Sequence, residues 1–277
     1  HKAQALVPTG DLLLLEEVAR AQVGIGDNAT AATLQKQVLA RLPDRRRSRL
    51  LLAQALLATG LGTEADSILA PLTSGPTMRD AEATVLKGQA LLLQSDTLAA
   101  QKLTRLLLAN PGLPAAVRYD TQLLSAQVFL TLQEPLSARR VLEPLLKLAV
   151  SPVVDGKTPQ PTREQKLSVQ VLSAQTLLAL RPPQQSEARA LLESVVGQAP
   201  ERADARLLLG RLLRELGAWS PAEQQLSAAL RMDERSIPVR RELAMLLMLR
   251  GDFAKARELY TELLKDEQDA ELVLAAA

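Results

Sequence analysis

The sequence predicts an all-α protein built from one repeated helix pair. Three observations carry that expectation: a helix-forming composition, a register of about 34 residues that recurs along the chain, and small residues fixed at two places in each register. Hydrophobic residues make up 47% of the 277 and aromatics only 2%. The apolar share is almost entirely Leu, Ala and Val, beside abundant Gln, Arg and Glu. Strands favour β-branched and aromatic side chains, whereas Leu, Ala, Gln, Arg and Glu are strong helix formers.

The register is clearest near the C-terminus. Gly210 and Ala244 lie 34 residues apart, as do Gly217 and Gly251, Ala222 and Ala256, and Leu226 and Tyr260. Working back, a small residue recurs in each first helix at Ala19, Ala53, Gly88, Ala126, Ala174, Gly210 and Ala244. A second recurs in each second helix at Ala31, Ala65, Ala100, Ala138, Ala188, Ala222 and Ala256. The two are 12 apart in six units and 14 apart in the fifth, whose turn carries Pro182-Pro183. Seven residues after the second comes an apolar residue each time: Val38, Leu72, Leu107, Leu145, Val195, Ala229 and Leu263. A repeat of this length, with Gly217-Ala-Trp219-x-x-Ala222 and Gly251-Asp-Phe253-x-x-Ala256 at the turns, resembles the tetratricopeptide-repeat (TPR) family over nearly the whole chain. Pro43 and Pro200, twelve residues after their Ala, stand where that family tends to stop a helix.

The resemblance implies a right-handed superhelical solenoid of antiparallel helix pairs, about seven units in a single domain spanning 1–277. Units are expected near 12–45, 46–80, 81–118, 119–150, 163–202, 203–236 and 237–270. Small residues are needed where paired helices cross closely; a Leu at Ala65 or Ala222 would overpack the crossing by about 1–3 kcal/mol. No single hairpin buries its apolar face alone, so the units stack. Gly26, Gly60, Gly217 and Gly251 supply the left-handed stop of a first helix. Ser95 and Gln133 replace that Gly in the third and fourth units, so less regular turns are expected there.

Irregularities mark the rest. From Gly88 to Ala126 the spacing grows to 38, absorbed by Asn110-Pro-Gly-Leu-Pro114, and from Ala126 to Ala174 it grows to 48. The second excess falls in a Pro-rich loop, 150–162, expected to be mobile and on the surface, with a partner contact as the alternative. Residues 1–8 read as the tail of a preceding second helix and residues 269–277 as the start of another first helix. The chain is therefore expected to be a segment of a longer array with partial units at both ends.

Composition excludes several function classes. With 33 basic and 31 acidic residues, net charge +2 gives no electrostatic footprint for nucleic acid. No apolar run approaches the ~18–20 residues of a membrane span. Without Cys there are no disulfides, thiolate sites or cysteine nucleophiles. The only histidine is His1, so no histidine-based relay or metal site is expected. Gly24-Ile-Gly26-Asp-Asn-Ala29 closes a helix instead of opening one after a strand, which makes it a repeat turn and not a dinucleotide loop. Glu16-Glu17 and the Glu64/Asp66 pair read as solvated helix-surface charges. Arg45-Arg46-Arg47-Ser-Arg49 reads as a solvated, partly paired surface, with an anion-binding patch as the alternative. Neither a catalytic constellation nor a cofactor is expected.

In the TPR family the first helices line the concave face, where partners bind. The residue after each small one is Arg20, Gln54, Gln89, Gln127, Gln175, Arg211 and Met245. Three further on the row is Val23, Leu57, Leu92, Leu130, Leu178, Arg214 and Met248; three before the small residue it is Glu16, Leu50, Val85, Leu123, Val171, Leu207 and Arg241. A ladder of Gln, each a donor and an acceptor, flanked by aliphatic rows suits a polypeptide backbone or an amphipathic helix. The expected groove residues are thus Arg20, Gln54, Leu57, Gln89, Leu92, Gln127, Leu130, Gln175, Leu178, Arg211, Arg214 and Met245. The Lys and Asn with which the chaperone-binding branch clamps a carboxylate are replaced by Leu, Val and Gln, so chaperone-tail recognition is not expected.

The expected function is a non-catalytic scaffold binding a protein or peptide partner. Resemblance to periplasmic TPR arrays of bacterial exopolysaccharide exporters gives an alternative, in which the groove contacts polymer-modifying enzymes or the polymer. Self-assembly through the open ends is a third. The absence of Cys fits an exported protein slightly better than a cytosolic one, and the compartment is otherwise open.

Overall fold

The structure is a computed structural model. It describes residues 12–24, 26–74, 80–150, 160–234 and 236–276, with side chains to residue 265. Fourteen helices and no strand occur among them: α1 (Leu12–Gly24), α2 (Asn28–Arg41), α3 (Arg46–Ala58), α4 (Gly62–Thr73), α5 (Ala81–Leu93), α6 (Thr97–Leu108), α7 (Ala115–Thr131), α8 (Pro135–Val150), α9 (Arg163–Ala179), α10 (Gln185–Gln198), α11 (Ala203–Glu215), α12 (Trp219–Met232), α13 (Ile237–Arg250) and α14 (Phe253–Ala276). The chain is an all-α helical solenoid that falls into two compact units. The N-terminal unit holds residues 1–141 and 154–161, and the C-terminal unit holds the remainder, with the boundary inside α8.

In the N-terminal unit each helix from α1 to α7 packs on the next, and the first helices also touch one another in the series α1, α3, α5, α7. The C-terminal unit repeats this plan, with α9 to α14 packed in order and α9, α11 and α13 side by side. Stacking follows from the fourteen small residues of the register, all of which are buried. At Gly210 the reason for the smallest side chain is visible. A Cβ there would stand 2.6 Å from Leu226 Cγ and 3.4 Å from the Ala222 carbonyl oxygen. At Gly88 a Cβ would run into Leu124 of the neighbouring first helix. Around these crossings the interior is aliphatic. Leu52, Leu56 and Leu69 are fully buried in the N-terminal unit, and Leu192, Leu212, Leu226 and Leu246 in the C-terminal one. Each full burial of such a side chain is worth about 1.5–3 kcal/mol.

The turns inside the hairpins share one hydrogen-bond pattern. The amides of Asp27, Leu61, Asp96, Glu134, Ala218 and Asp252 donate to the carbonyls of Gln22, Leu56, Leu91, Phe129, Leu213 and Leu247, at 2.8–2.9 Å. The residue before each donor adopts positive φ: Gly26 83°, Gly60 81°, Ser95 63°, Gln133 60°, Gly217 73° and Gly251 85°. The irregular turns expected at Ser95 and Gln133 are therefore not found. The closing bond recovers an orphan carbonyl of the helix end and holds an L-residue in a conformation that costs about 1–2 kcal/mol. Only the fifth turn differs, where Gln184 donates to the Leu177 carbonyl across Pro182-Pro183.

A second correction concerns the C-terminus. Residues 269–276 do not begin a new first helix; α14 runs unbroken from Phe253 to Ala276. Neither Gly nor Pro interrupts the stretch after Lys265, and its Ala, Glu, Gln and Leu sustain helix. The tail expected at residues 1–8, the side chains beyond residue 265, His1 and most of the 150–162 loop lie outside the described residues.

Candidate functional site

The aligned first helices bring part of the Gln ladder together. Gln54, Leu57 and Ala58 on α3, Gln89, Leu92 and Leu93 on α5, and Gln127 on α7 line one open cavity of about 520 Å³ in the N-terminal unit. Repeat register alone explains this convergence, because equivalent residues on helices that lie side by side must form a row. No ionisable side chain takes part in the lining.

Some glutamines elsewhere in the chain are committed internally. Gln94 donates to the Gly62 carbonyl, Gln165 completes a capping box with Thr162, Gln198 donates to Ser194, and Gln225 accepts from Arg206. The side-chain amides of Gln54, Gln89 and Gln127 have no such internal partner among the described residues. Leu57 and Leu92 each pack one side on the core while the other side faces the cavity. They form a floor of aliphatic carbon beside a row of available donors and acceptors.

The other expected groove residues are placed differently. Leu130 is half-buried on α7 and outside the cavity lining. Arg20 is exposed on α1 and pairs with Glu17 at 3.5 Å. In the C-terminal unit Gln175 is half-buried, and Leu178 packs against the core. Arg214 has its guanidinium on the Glu242 carboxylate at 3.0 Å. Arg211 lies between Glu215 and Glu242, at 3.3 and 3.7 Å. Met245 and Met248 are exposed on α13. The row expected three residues before each small one is mostly not a groove wall: Leu50, Val85 and Val171 are buried. On these helices that position turns inward, into the packing between helices.

Glu16 also departs from expectation. Instead of a solvated charge it is 1% exposed, held by the Arg45 guanidinium at 2.6 Å and by the Ser48 hydroxyl at 2.8 Å. The hydrogen bond from Arg45 keeps its carboxyl below the ordinary glutamate range against the opposing effect of burial, and Ser48 adds to it. Arg46 binds Asp80, the N-cap of α5, and reaches Glu82 at 2.6 Å. Arg47 takes Glu17 at 2.8 Å, and Arg49 donates to the Ile68 carbonyl. Burial alone would raise the Asp80 pKa; the Arg46 hydrogen bond and the Ala83 amide outweigh it and leave the group lowered. The arginine run is thus a paired, half-exposed surface and not an open anion patch. Its members clasp α3 to α1 on one side and to α5 on the other. Glu64 and Asp66 are likewise paired, with Lys36 and Lys87 at 3.2 Å each.

A second cavity, of about 500 Å³, lies among α12, α13 and α14 in the C-terminal unit. It is lined by Ser227, Leu230, Arg231, Glu234, Arg240, Leu259 and Glu262. Rows drawn along the first helices do not reach it, since five of its seven residues stand on second helices: Ser227, Leu230 and Arg231 on α12, and Leu259 and Glu262 on α14. Its mixed charges include the long Arg240–Glu262 pair at 3.9 Å. Among the described residues no cluster of three or more His, Asp or Glu is arranged for a metal ion, and no helix is long and apolar enough to cross a membrane.

Tetratricopeptide-repeat family models match residues 18–70 and 184–238. No curated protein matches the chain. Among solved structures, a tetratricopeptide repeat protein from Parabacteroides merdae is 14% identical, with TM-score 0.55 over 92% of this chain and 93% of that one. A Rap protein complexed with competence and sporulation factor is 14% identical, with TM-score 0.63 over 95% and 78%. IFIT1 with Gppp-AAAA is 13% identical, with TM-score 0.65 over 93% and 60%. At such identities the likeness is one of fold.

Proposed function

We propose that this chain, a tetratricopeptide-repeat protein, is a non-catalytic scaffold that takes a polypeptide partner on the first-helix row of its N-terminal unit. One observation carries the reading: three glutamine amides without internal partners surround an uncharged, leucine-floored cavity. Polar groups left available beside exposed aliphatic surface form the usual pairing in a binding groove, where the amides fix orientation and the carbon supplies the burial. A sugar polymer is the competing occupant, as in the exporter alternative. The lining holds no aromatic side chain on which a sugar ring would stack, and it holds no cation for a phosphate backbone.

Selection of phage-displayed random peptides on the chain, followed by titration on the Gln54→Ala, Gln89→Ala, Gln127→Ala and Gln175→Ala quadruple variant, tests the reading. Each lost hydrogen bond is worth about 0.5–1.5 kcal/mol, so selected peptides should weaken by roughly tenfold or more while the circular dichroism and melting temperature hold. Peptides that bind the variant as tightly as the parent would move the binding site elsewhere.

A further inference from the structure

Away from the groove, two second helices of the N-terminal unit depart from the repeat on their outer face. The positions two before and two after the small residue of a second helix lie on the side opposite the crossing, as the helical step of about 100° per residue requires. Both positions are exposed in all seven second helices. In five of them they hold only Ala, Ser, Thr, Gln or Glu. In α6 and α8 they hold Leu98 with Lys102 and Leu136 with Arg140. At 70% and 63%, Leu98 and Leu136 are the most exposed large apolar side chains among the described residues.

Charge follows the same two helices. Arg105 and Leu106 continue the stripe along α6, and Arg139 stands beside Arg140 on α8, all exposed. Helix α6 contains no acidic residue, and neither does α8 as far as Val141, the last residue it gives to this unit. Lys102, Arg105, Arg139 and Arg140 have no ion pair among the described residues. Of the acids flanking these stretches, Asp96 accepts from the Ala99 amide and Glu143 from Lys147, which leaves only Glu134 in the turn before α8. The buried Ala100 and Ala138 turn inward at one register, so the two stripes face the same way. A chain with a net charge of only +2 thus gathers four open cations around three exposed leucines.

We infer that this face docks on a membrane surface, with Leu98, Leu106 and Leu136 entering the headgroup layer and the four cations meeting anionic phospholipids. Single exposed leucines are ordinary. Leucines repeated at one register position and ringed by unpaired cations match the two things such a surface offers, an apolar boundary and negative charge. The long Lys and Arg stems reach past the leucines and keep their charge at the phosphates. Shape decides against a folded partner. Side chains that stand this far out of a helix face need a hollow beside each one, whereas a lipid headgroup layer parts around them. The groove of the first helices takes no part, so this surface stands or falls independently of the groove reading.

Co-sedimentation of the full chain with lipid vesicles tests the inference. Vesicles of phosphatidylserine in phosphatidylcholine should bind at least about tenfold more tightly than phosphatidylcholine alone, since each cation near an anionic surface contributes a factor of about five. The Lys102→Gln, Arg105→Gln, Arg139→Gln, Arg140→Gln variant should lose about thirtyfold or more. A control that removes equal charge elsewhere, Arg181→Gln, Lys255→Gln, Arg257→Gln, Lys265→Gln, should lose less than about threefold. The Leu98→Ser, Leu136→Ser variant should lose about tenfold, and the difference should persist in salt that screens the cations. Every replaced side chain is exposed, so circular dichroism and melting temperature should match the parent. Inorganic phosphate should compete no better than chloride of equal ionic strength. Equal losses in the patch and control variants would reduce the effect to bulk charge and overturn the inference. So would vesicle binding that ignores both patch variants, competition by phosphate, or no vesicle binding at all. Capture of an end-capped acidic, leucine-bearing helical peptide by the parent and not by the four-cation variant, without vesicle binding, would assign the face to a protein and overturn it as well. The Gln54→Ala, Gln89→Ala, Gln127→Ala, Gln175→Ala variant should bind vesicles like the parent, and the selected peptides judge the groove separately.

Discussion

Both compact units place an ion pair at the N-terminal end of a first helix, Arg45 with Glu16 in one and Arg202 with Glu164 in the other, but the C-terminal unit adds a pair between first helices along the row. In the N-terminal unit Arg45, Arg46 and Arg47 sit at the start of α3 and bind Glu16, Asp80, Glu82 and Glu17, leaving the middle of the first-helix row to free amides and leucine. In the C-terminal unit the position of Leu57 and Leu92 is taken by Arg214, whose charge closes on Glu242 within the row. Arg250, at the end of α13, pairs with Glu223 on α12 and with Asp252 in the turn that follows. Adjacent first helices can thus be held together by charges at their N-terminal ends alone, as in the N-terminal unit, or also by charges along the groove, as in the C-terminal one. Only the first choice keeps the groove chemically open.

The strongest way to break this comparison is to remove the N-terminal clasp. Arg45→Met strands the buried Glu16 carboxylate, an uncompensated interior charge, and should lower the melting temperature more than any other change considered. Adding Glu16→Gln should recover a large part of the loss, and a double-mutant cycle without coupling would show that the pair does not hold α1 to α3. Next come the helix crossings. Ala65→Leu and Ala222→Leu should each cost about 1–3 kcal/mol through overpacking, seen as a lower urea midpoint. Hydrogen exchange should place the lost protection in the unit that carries the substitution.

Acid should act on both units, since Asp204 in the C-terminal unit is likewise held low: burial alone would raise it, and the Arg202 hydrogen bond outweighs that. The Glu16 and Asp80 carboxyls are held below their ordinary range by Arg45 and Arg46. A depressed folded pKa contributes stability above the unfolded value, about 4, and that contribution disappears as pH falls through the lowered folded value. The denaturation midpoint should therefore drop as pH falls below about 5, with exchange rising at α1, α3 and α5 and at the start of α11. The smallest effect is expected at the turns. Ser95→Gly and Gln133→Gly should each stabilise by about 0.5–1 kcal/mol, since glycine removes the left-handed strain but adds unfolded entropy. Unchanged or lower melting temperatures would indicate that these side chains contribute contacts of their own.

The helix pairs were legible because a small residue at a crossing leaves a mark at fixed spacing, and Ala19 through Ala256 could be read off directly. The cavity was legible for the same reason, as Gln54, Gln89 and Gln127 share one register position. Glu16 was not. Its burial depends on Arg45, 29 residues later, and nothing local distinguishes a paired carboxylate from a solvated one. Leu50 and Val85 were assigned to the groove because helical spacing locates a face only to within about one residue step. Their inward turn is set by the neighbouring helices. At Ser95 the residue type pointed to an irregular turn, while the closing bond between Asp96 and Leu91 imposed the common geometry.

Arg45 and Arg46 are consecutive in the chain yet reach to opposite sides, one to the hairpin before and one to the hairpin after. Under a pulling force, hairpins without such ties would peel away singly, each releasing its own length of chain. Here three hairpins are riveted through two neighbouring residues, so tension arriving at α3 is shared with α1 and α5 at once. The stretch from α1 to α6 is therefore expected to yield as one piece, and a ligand lying across α3 and α5 would rest on hairpins that do not part singly.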